Sequence, residues 1–483
     1  MMTLETFFEK FALFADAPDA VAKMRELVLE WAATGRLCHS DSNEWREGEL
    51  GDVIELISGQ HLLANEHNHQ RRGIPYLTGP SDFGDKHPIP TRWTEQPKVV
   101  AQPGDILITV KGSGVGKTNV LVDQPTAISR QLMAIRVLRA DPDFVHVVVK
   151  RAAEHFQNAK TGIAIPGIGR REVLGLKLVL PPLAEQQRIV AKVDELMALC
   201  DRLALQQEER ETRHAALARA SLARFAEAPT PANLQWIFHQ SYAIPPAALR
   251  KAILTLAVQG KLVPQDPNDE PAEASSESEA LFDIPSGWQW KLLGELGLCR
   301  TGKTPPTSDP TNYGLGFPFI GPGQITPSGN FIASEKTITS KGLENSTEAN
   351  VSDILMVCIG GSIGKAAVCQ EPFGFNQQIN SVRLERDLPE FVYLTVTAQY
   401  FQEQVLANAS GSATPIINKG KWEQIPIPLP PLAEQRRIVA KVDELMAWVD
   451  ALETQLATAR TTATALLAAA VAELTSNHFT PTH

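Results

Sequence analysis

The chain has 483 residues, with 43% hydrophobic and 21% charged residues and a formal charge of −10, the balance of an ordinary globular protein of about three domains. No run of about 18 apolar residues occurs, which excludes a long apolar membrane span, and the acidic start (Glu5, Glu9, Asp16) lacks a secretory leader, so a cytoplasmic location is expected. Cys38, Cys200, Cys299, Cys358 and Cys369 are scattered without a C-x-x-C pair, which signals neither a disulfide framework nor a zinc site and predicts reduced, mostly buried thiols.

In chain order, residues 1–43 read as a helical segment, 44–180 as a variable domain and 181–264 as a long helix followed by a short one. Residues 265–287 form an acidic linker, 288–429 a second variable domain and 430–483 a second long helix. The order reflects an internal repeat. LPPLAEQQRIVAKVDELMA (180–198) returns as LPPLAEQRRIVAKVDELMA (429–447), with one difference, Gln187 against Arg436, at an offset of 249. Weaker echoes pair GDILITVKGSGVGKTNVL (104–121) with SDILMVCIGGSIGKAAVC (352–369), and ISRQLMAIRVL (128–138) with FNQQINSVRLE (375–385).

At another offset, 225, MRELVLEWAATGRLC (24–38) matches RKAILTLAVQGKLVP (250–264), setting Arg25 on Arg250 and Gly35 on Gly260. Joining the two ends of the chain would recreate its central helical region. The fold class expected is therefore mixed, α+β: two α/β heads separated by two long antiparallel helices, in a circularly permuted repeat about a pseudo-two-fold axis.

The stretch from Ala184 to about Ala226 lacks Pro and Gly and carries an apolar seam at Ile189, Val193, Leu196, Cys200 and Leu203. Ile438, Val442, Leu445, Val449, Leu452 and Leu456 repeat it in the second rod. Two rods with one-sided seams are expected to bury them against each other, the alternative being that each packs on its own head.

No catalytic set emerges. Lys111-Gly-Ser-Gly-Val-Gly-Lys-Thr118 resembles a phosphate loop but has three residues, not four, before its Gly-Lys, and the second copy follows Gly364-Lys365 with Ala366. His61, His67 and His69 cluster in a polar stretch without a counterpart in the second half, which favours a solvated loop over a metal site. Hydrolase, metalloprotease, dinucleotide and amino-methyltransferase motifs are missing. Two similar heads without a shared catalytic set suit recognition, and neither a catalytic residue, a metal nor a cofactor is expected in this chain.

The charge is uneven: residues 44–180 carry +2 and 288–429 carry −2, whereas the 23 residues 265–287 carry −7. The acidity thus marks one segment, whose composition is that of a disordered tether, and does not exclude nucleic acid.

At the paired LPPLAEQxRIVAKVDELM segments, with LRKAILTLAVQGKL between the heads, the sequence resembles the specificity subunit of a type I restriction-modification system. The resemblance covers essentially the whole chain. It implies two target recognition domains that each read half of a bipartite, asymmetric site on double-stranded DNA, held apart by the long helices. It also implies two modification subunits that bind S-adenosylmethionine and methylate adenine, and restriction subunits that use ATP and Mg and cut DNA. The subunit itself would catalyse nothing.

Chemistry and loop placement then select candidate DNA contacts, cations for phosphates and polar groups for base edges. In the first head these are Gln60, Arg71, Arg72, Lys111, Ser113, Lys117, Thr118, Arg130, Gln131, Arg170 and Arg171. In the second they are Thr301, Lys303, Thr304, Ser362, Lys365, Gln377, Gln378, Ser412, Lys419 and Lys421. Exposed positions beside the seams, Glu185, Gln186, Arg188 and Asp194 with Glu434, Gln435, Arg437 and Asp443, are the candidates for docking partner subunits. The alternative is a scaffold that binds peptides rather than DNA.

Overall fold

The computed structural model describes residues 9–10, 15, 17, 19–37, 45–84, 87–161, 166–228, 230–238, 244–273, 280–411 and 414–476. Two compact units share the chain, one made of residues 1–209 and 459–483, the other of 210–458.

The first unit carries the first head. Ile54–Ser58, Leu132–Val137, Ile106–Thr109 and Thr118–Val120 form an antiparallel sheet in that order. Its central strand, Ile106–Thr109, is buried at every position, which suits a branched apolar run. Arg92–Thr94, Ile74–Leu77, Thr126–Ile128 and Val100–Ala101 form a second sheet, with Ile74–Leu77 and Thr126–Ile128 parallel. Arg46–Glu49 pairs with Lys177–Leu180 where the chain enters and leaves the head.

The second unit repeats this strand by strand. Gly297–Thr301, Ile379–Leu384, Ile354–Val357 and Ala366–Val368 make the antiparallel sheet. Thr337–Ile338, Tyr313–Ile320, Phe373–Phe375 and Thr347–Ala349 make the second sheet, again with one parallel pairing, and Gln289–Leu292 pairs with Pro426–Leu429. The two heads share one topology despite their diverged sequences.

The short helices Ala20–Ala33 and Pro246–Val258 both end at a glycine of positive φ, Gly35 at 75° and Gly260 at 66°. A Cβ on Gly35 would lie 2.6 Å from the Trp45 ring, so the left-handed turn and the ring stacked on it both require glycine there. The long helices are continuous, Leu183–Glu227 and Leu432–Ser476, each 45 residues, or about 68 Å.

Their seams are buried differently from the expectation. Ile189, Val193 and Leu196 join the core of the first head together with Val28 and Ala32 of the short helix. Ile438, Val442, Leu445 and Val449 do the same in the second unit with Leu249 and Ile253. Each seam therefore packs chiefly on its own head. The long helices also share clusters with each other, Cys200 with Ala463, Leu467, Ala470 and Leu474 in the first unit, and Ala218 and Phe225 with Ile438, Val442, Leu445 and Val449 in the second. The physical reason lies in the sequence, because the stripe gives way to Gln206, Gln207, Glu208 and Glu209 after Leu205. The apolar face is thus interrupted in the middle of the rod and resumes at Ala218, Leu222 and Phe225.

The acidic linker is not a free tether over residues 265–273. Asp269 accepts from the Arg437 guanidinium at 2.6 Å, Gln265 donates to Glu434 at 2.7 Å, and Glu273 pairs with Arg386 and, at 3.8 Å, with Lys291. Further on, Phe282 packs on Trp290 and Tyr400. Composition alone suggested disorder because its cationic partners are distant in sequence; residues 274–279 lie outside the described residues. Cys200, Cys299, Cys358 and Cys369 are buried free thiols, and burial pushes the last three up to about 12. Cys38 lies outside the described residues.

Candidate nucleic-acid interface

In an antiparallel sheet alternate connections emerge at the same end. In the first head one end collects Gly59 and Gln60 after the strand Ile54–Ser58, Arg130 and Gln131 before Leu132, and the turn from Val110 to Lys117. The strand pairings Ser58↔Met133, Thr109↔Leu132 and Ile108↔Thr118 place all three connections together.

Backbone bonds fix this rim. Gly59 N–H donates to Leu132 O at 3.1 Å, Gln60 N–H to Ile128 O at 3.0 Å, Val110 N–H to Gln131 O at 2.8 Å and Thr109 N–H to Lys117 O at 2.9 Å. The second head reproduces the set: Gly302 to Ile379 at 2.9 Å, Lys303 to Phe375 at 2.9 Å, Cys358 to Gln378 at 2.8 Å and Val357 to Lys365 at 2.8 Å. A fourth loop joins each rim, since Gly112 N–H donates to Pro166 O and Gly360 N–H to Pro415 O.

The rims are thus superposable in hydrogen bonding and unlike in side chains. Gln60 answers Lys303, Lys111 answers Ile359 and Arg130 answers Gln377, while Lys117 with Lys365 and Gln131 with Gln378 keep their identity. The exposed cations Lys111, Lys117 and Arg130 concentrate positive charge on the first rim.

Other predicted contacts have different roles. Arg71 and Arg72 precede Ile74 and so sit at the end of the second sheet remote from the rim, with Arg71 over the Trp93 ring at 5.4 Å. Arg170 donates to Leu56 O at 2.6 Å and to Ser58, and Lys419 reaches Cys299 O at 3.5 Å and pairs with Glu423 at 2.8 Å. These two basic residues cap equivalent strands and are anchors first. Thr118 is tied to His146 at 3.0 Å and Lys421 donates to Asn408 O at 2.9 Å.

Thr301 donates to Asn380 at 2.9 Å, whereas Thr304 and Gln377 meet at 2.7 Å on the second rim. Ser113 and Ser362 lie in the glycine-rich turns, and Arg171 is exposed in the short helix Arg170–Leu174. Ser412 lies outside the described residues.

The glycine-rich strings close hairpins. Gly112 and Gly116 have φ of 87° and 84°, Gly360 and Gly364 of 84° and 89°, and a strand follows each. A phosphate cradle needs a helix N-terminus at that place. Among the described residues no cluster of His, Cys, Asp and Glu could hold a metal. His67 stacks on Tyr76, and burial holds its imidazole below the usual value, while His69 bonds Thr91 O at 3.0 Å.

Four docking candidates are corrected. Glu185, Gln186, Glu434 and Gln435 are 5%, 2%, 1% and 1% exposed, too buried to meet another subunit. Gln186 donates to Pro181 O and accepts from Asp141 N–H; Gln435 donates to Pro430 O and accepts from Leu388 N–H. Glu434 accepts from Trp288 Nε1 at 3.0 Å, and burial raises its pKa. Gln186, Glu434 and Gln435 thus tie each long helix to its head, while Glu185 accepts from Arg188 of its own helix at 3.1 Å. A polar residue on the first turn looks exposed because the seam begins only three or four residues after it. Arg188, Asp194 and Asp443 are exposed, and Arg437 is paired with Asp269.

Sequence reasoning missed the braces of the turns. Gln157 donates to Ser113 O at 3.3 Å and Gln402 to Gly364 O at 3.0 Å from helices about 40 residues on. No local pattern signals them.

A repeated α/β head with a rim of variable polar loops is matched by one family model, that of the type I restriction modification DNA specificity domain, over residues 42–210 and 285–459. The chain belongs to this family. It is similar to the type I restriction enzyme EcoAI specificity subunit of Escherichia coli, 27% identical over 344 residues that cover 58% of this chain and 55% of that one. With the EcoEI specificity subunit of the same organism it shares 25% over 422 residues, 73% and 66% of the two chains. The chain therefore spans between about half and two thirds of the length of these two relatives. A solved chain, described under complex assembly and conformational transition of the type I R-M system, shares the fold with a TM-score of 0.54 at 21% identity, covering 90% of this chain and 99% of that one. No helix among the described residues is long and apolar enough to cross a membrane.

Proposed function

We propose that this specificity-family chain is the non-catalytic DNA-reading subunit of a cytoplasmic type I restriction-modification complex. Each head reads one half of a bipartite, asymmetric site on double-stranded DNA, and the long helices set the separation. Two modification subunits supply S-adenosylmethionine and methylate adenine, docking in part on Arg188, Asp194 and Asp443, and restriction subunits use ATP and Mg.

The observation that carries this reading is the pair of rims. Their backbones are hydrogen-bonded alike, yet three of five equivalent positions carry different side chains. A shared frame with exchanged side chains is what two readers of unlike sequences need, since phosphates position a protein while base edges specify it. A net charge of −10 does not oppose this reading, because −7 of it belongs to residues 265–287, while the first rim presents the exposed cations Lys111, Lys117 and Arg130.

Methylation mapping of host DNA tests the proposal. A split adenine-methylated motif is expected, lost on deletion of this gene and restored with one half exchanged when one head is replaced by that of another family member. A methylome unchanged by the deletion would overturn it.

A further inference from the structure

Two glutamines occupy equivalent places on rims that diverge at three of five matched positions. Gln131 N–H donates to Ser129 Oγ at 3.1 Å and Gln378 N–H to Asn376 Oδ1 at 3.0 Å, so a short side-chain turn presents each residue. The turns are locked from outside as well. A Cβ on Gly59 would lie 2.2 Å from Ser129 O, and one on Gly302 would lie 1.9 Å from Asn376 O. The bonds that form the turns run through the glutamine backbone, which any residue could supply, and of the two side chains only that of Gln378 is also bonded, to Asn376 at 3.2 Å. The fold accounts for the turn but not for the side chain.

Resting on the DNA-reading role proposed above, we infer that Gln131 and Gln378 read the same base, an adenine, at corresponding places in the two unlike half-sites. A carboxamide offers one donor and one acceptor side by side, which matches adenine N7 and N6 in the major groove. Both side chains are accessible, Gln131 exposed and Gln378 half-buried with its Oε1 accepting from Asn376 at 3.2 Å, which leaves the Nε2 donor and a second lone pair. Lys117 and Lys365, the other matched pair, suit a phosphate, which is present whatever the sequence. Residues that differ between the rims, Arg130 against Gln377 among them, then carry the difference between half-sites.

The test uses the full chain expressed with its modification partners, read by methylome sequencing and by binding to duplexes carrying each base at the assigned position. Gln131→Leu is expected to lower discrimination at one adenine of the first half-site by on the order of ten- to a hundredfold. The second half-site stays unchanged and serves as the control for folding. Gln378→Leu is expected to do the reciprocal, and Gln131→Glu to shift preference toward cytosine, whose N4 amino group a carboxylate accepts from. If a leucine variant abolishes methylation, equal binding to all four duplexes supports the inference, and retained adenine preference overturns it. A half-site with no adenine at the position these variants affect, or variants without effect on a bipartite motif, also overturns it. A wild-type methylome with no bipartite motif instead sinks the DNA-reading role itself.

Discussion

In the first head a single arginine serves two carboxylates, and in the second a single carboxylate serves two arginines. Arg136 reaches buried Asp105 at 2.9 Å and also Glu55 at 3.3 Å, whereas buried Asp353 accepts from both Arg300 and Arg383 at 2.8 Å. The positions correspond through the strand registers, Ile54↔Val137 with Gly297↔Leu384, so Ile57 stands where Arg300 is and Leu298 where Glu55 is. The repeat thus preserves a buried pairing at the end of the sheet opposite the rim, while the partners around it are free to change.

Removing the acid from each head should separate the two arrangements. Asp353→Ala leaves two guanidiniums around a vacated buried site, and Arg300 is already held below its ordinary value by desolvation and by neighbouring Arg383. A loss of about 3–5 kcal/mol is expected from breaking such a buried pair. Asp105→Ala should cost less, because one guanidinium, not two, loses its buried partner and Arg136 keeps Glu55. Urea unfolding of the two variants checks this; equal losses would show that the second arginine contributes nothing.

A second contrast is sensitive to pH. His146 in the first head bonds Thr118, and burial pushes its imidazole down to about 4. The equivalent place in the second head holds Tyr393, whose hydroxyl burial pushes up, facing Gly329. An imidazole whose folded pKa is depressed stabilises fully above its unfolded value of about 6.5, and that contribution is lost as pH falls toward 4, because the unfolded chain takes up the proton first. The first head should therefore lose about 2–3 kcal/mol over that window, with no such loss from Tyr393. Melting curves of the wild type and His146→Phe between pH 7 and 4 test it: the gap between them should narrow on acidification, and a constant gap would refute it.

These contrasts also mark what the sequence made legible. The repeat and the long helices follow from local periodicity and from Pro and Gly placement, which act over a few residues. Gln60, Lys111, Lys117 and Gln131 could be picked because each borders a strand-like run, and rims collect strand ends. The role of Arg170 could not, since it depends on Leu56 O, 114 residues away. Nor could Asp269 be seen to hold Arg437 across 168 residues. Tertiary partners at such separations leave no mark in composition, which is why a paired acidic segment resembled a tether.

The smallest contrast lies where the repeat is closest to identical. Gln186 and Gln435 occupy the same motif position, and each ties its helix to a head through one donated and one accepted backbone bond. Gln435 makes one bond more, donating to Asp387 Oδ1 at 3.0 Å. Truncating either to alanine leaves a buried carbonyl and a half-buried N–H without their partner, at a cost of about 1–3 kcal/mol. Gln435→Ala should exceed Gln186→Ala by about 1.5 kcal/mol, the lower end for one hydrogen bond to a charged acceptor. Parallel denaturant titrations would resolve that difference. Because the two motif segments differ only at Gln187 and Arg436, any inequality measures what each head, and not the motif, adds to the helix it holds.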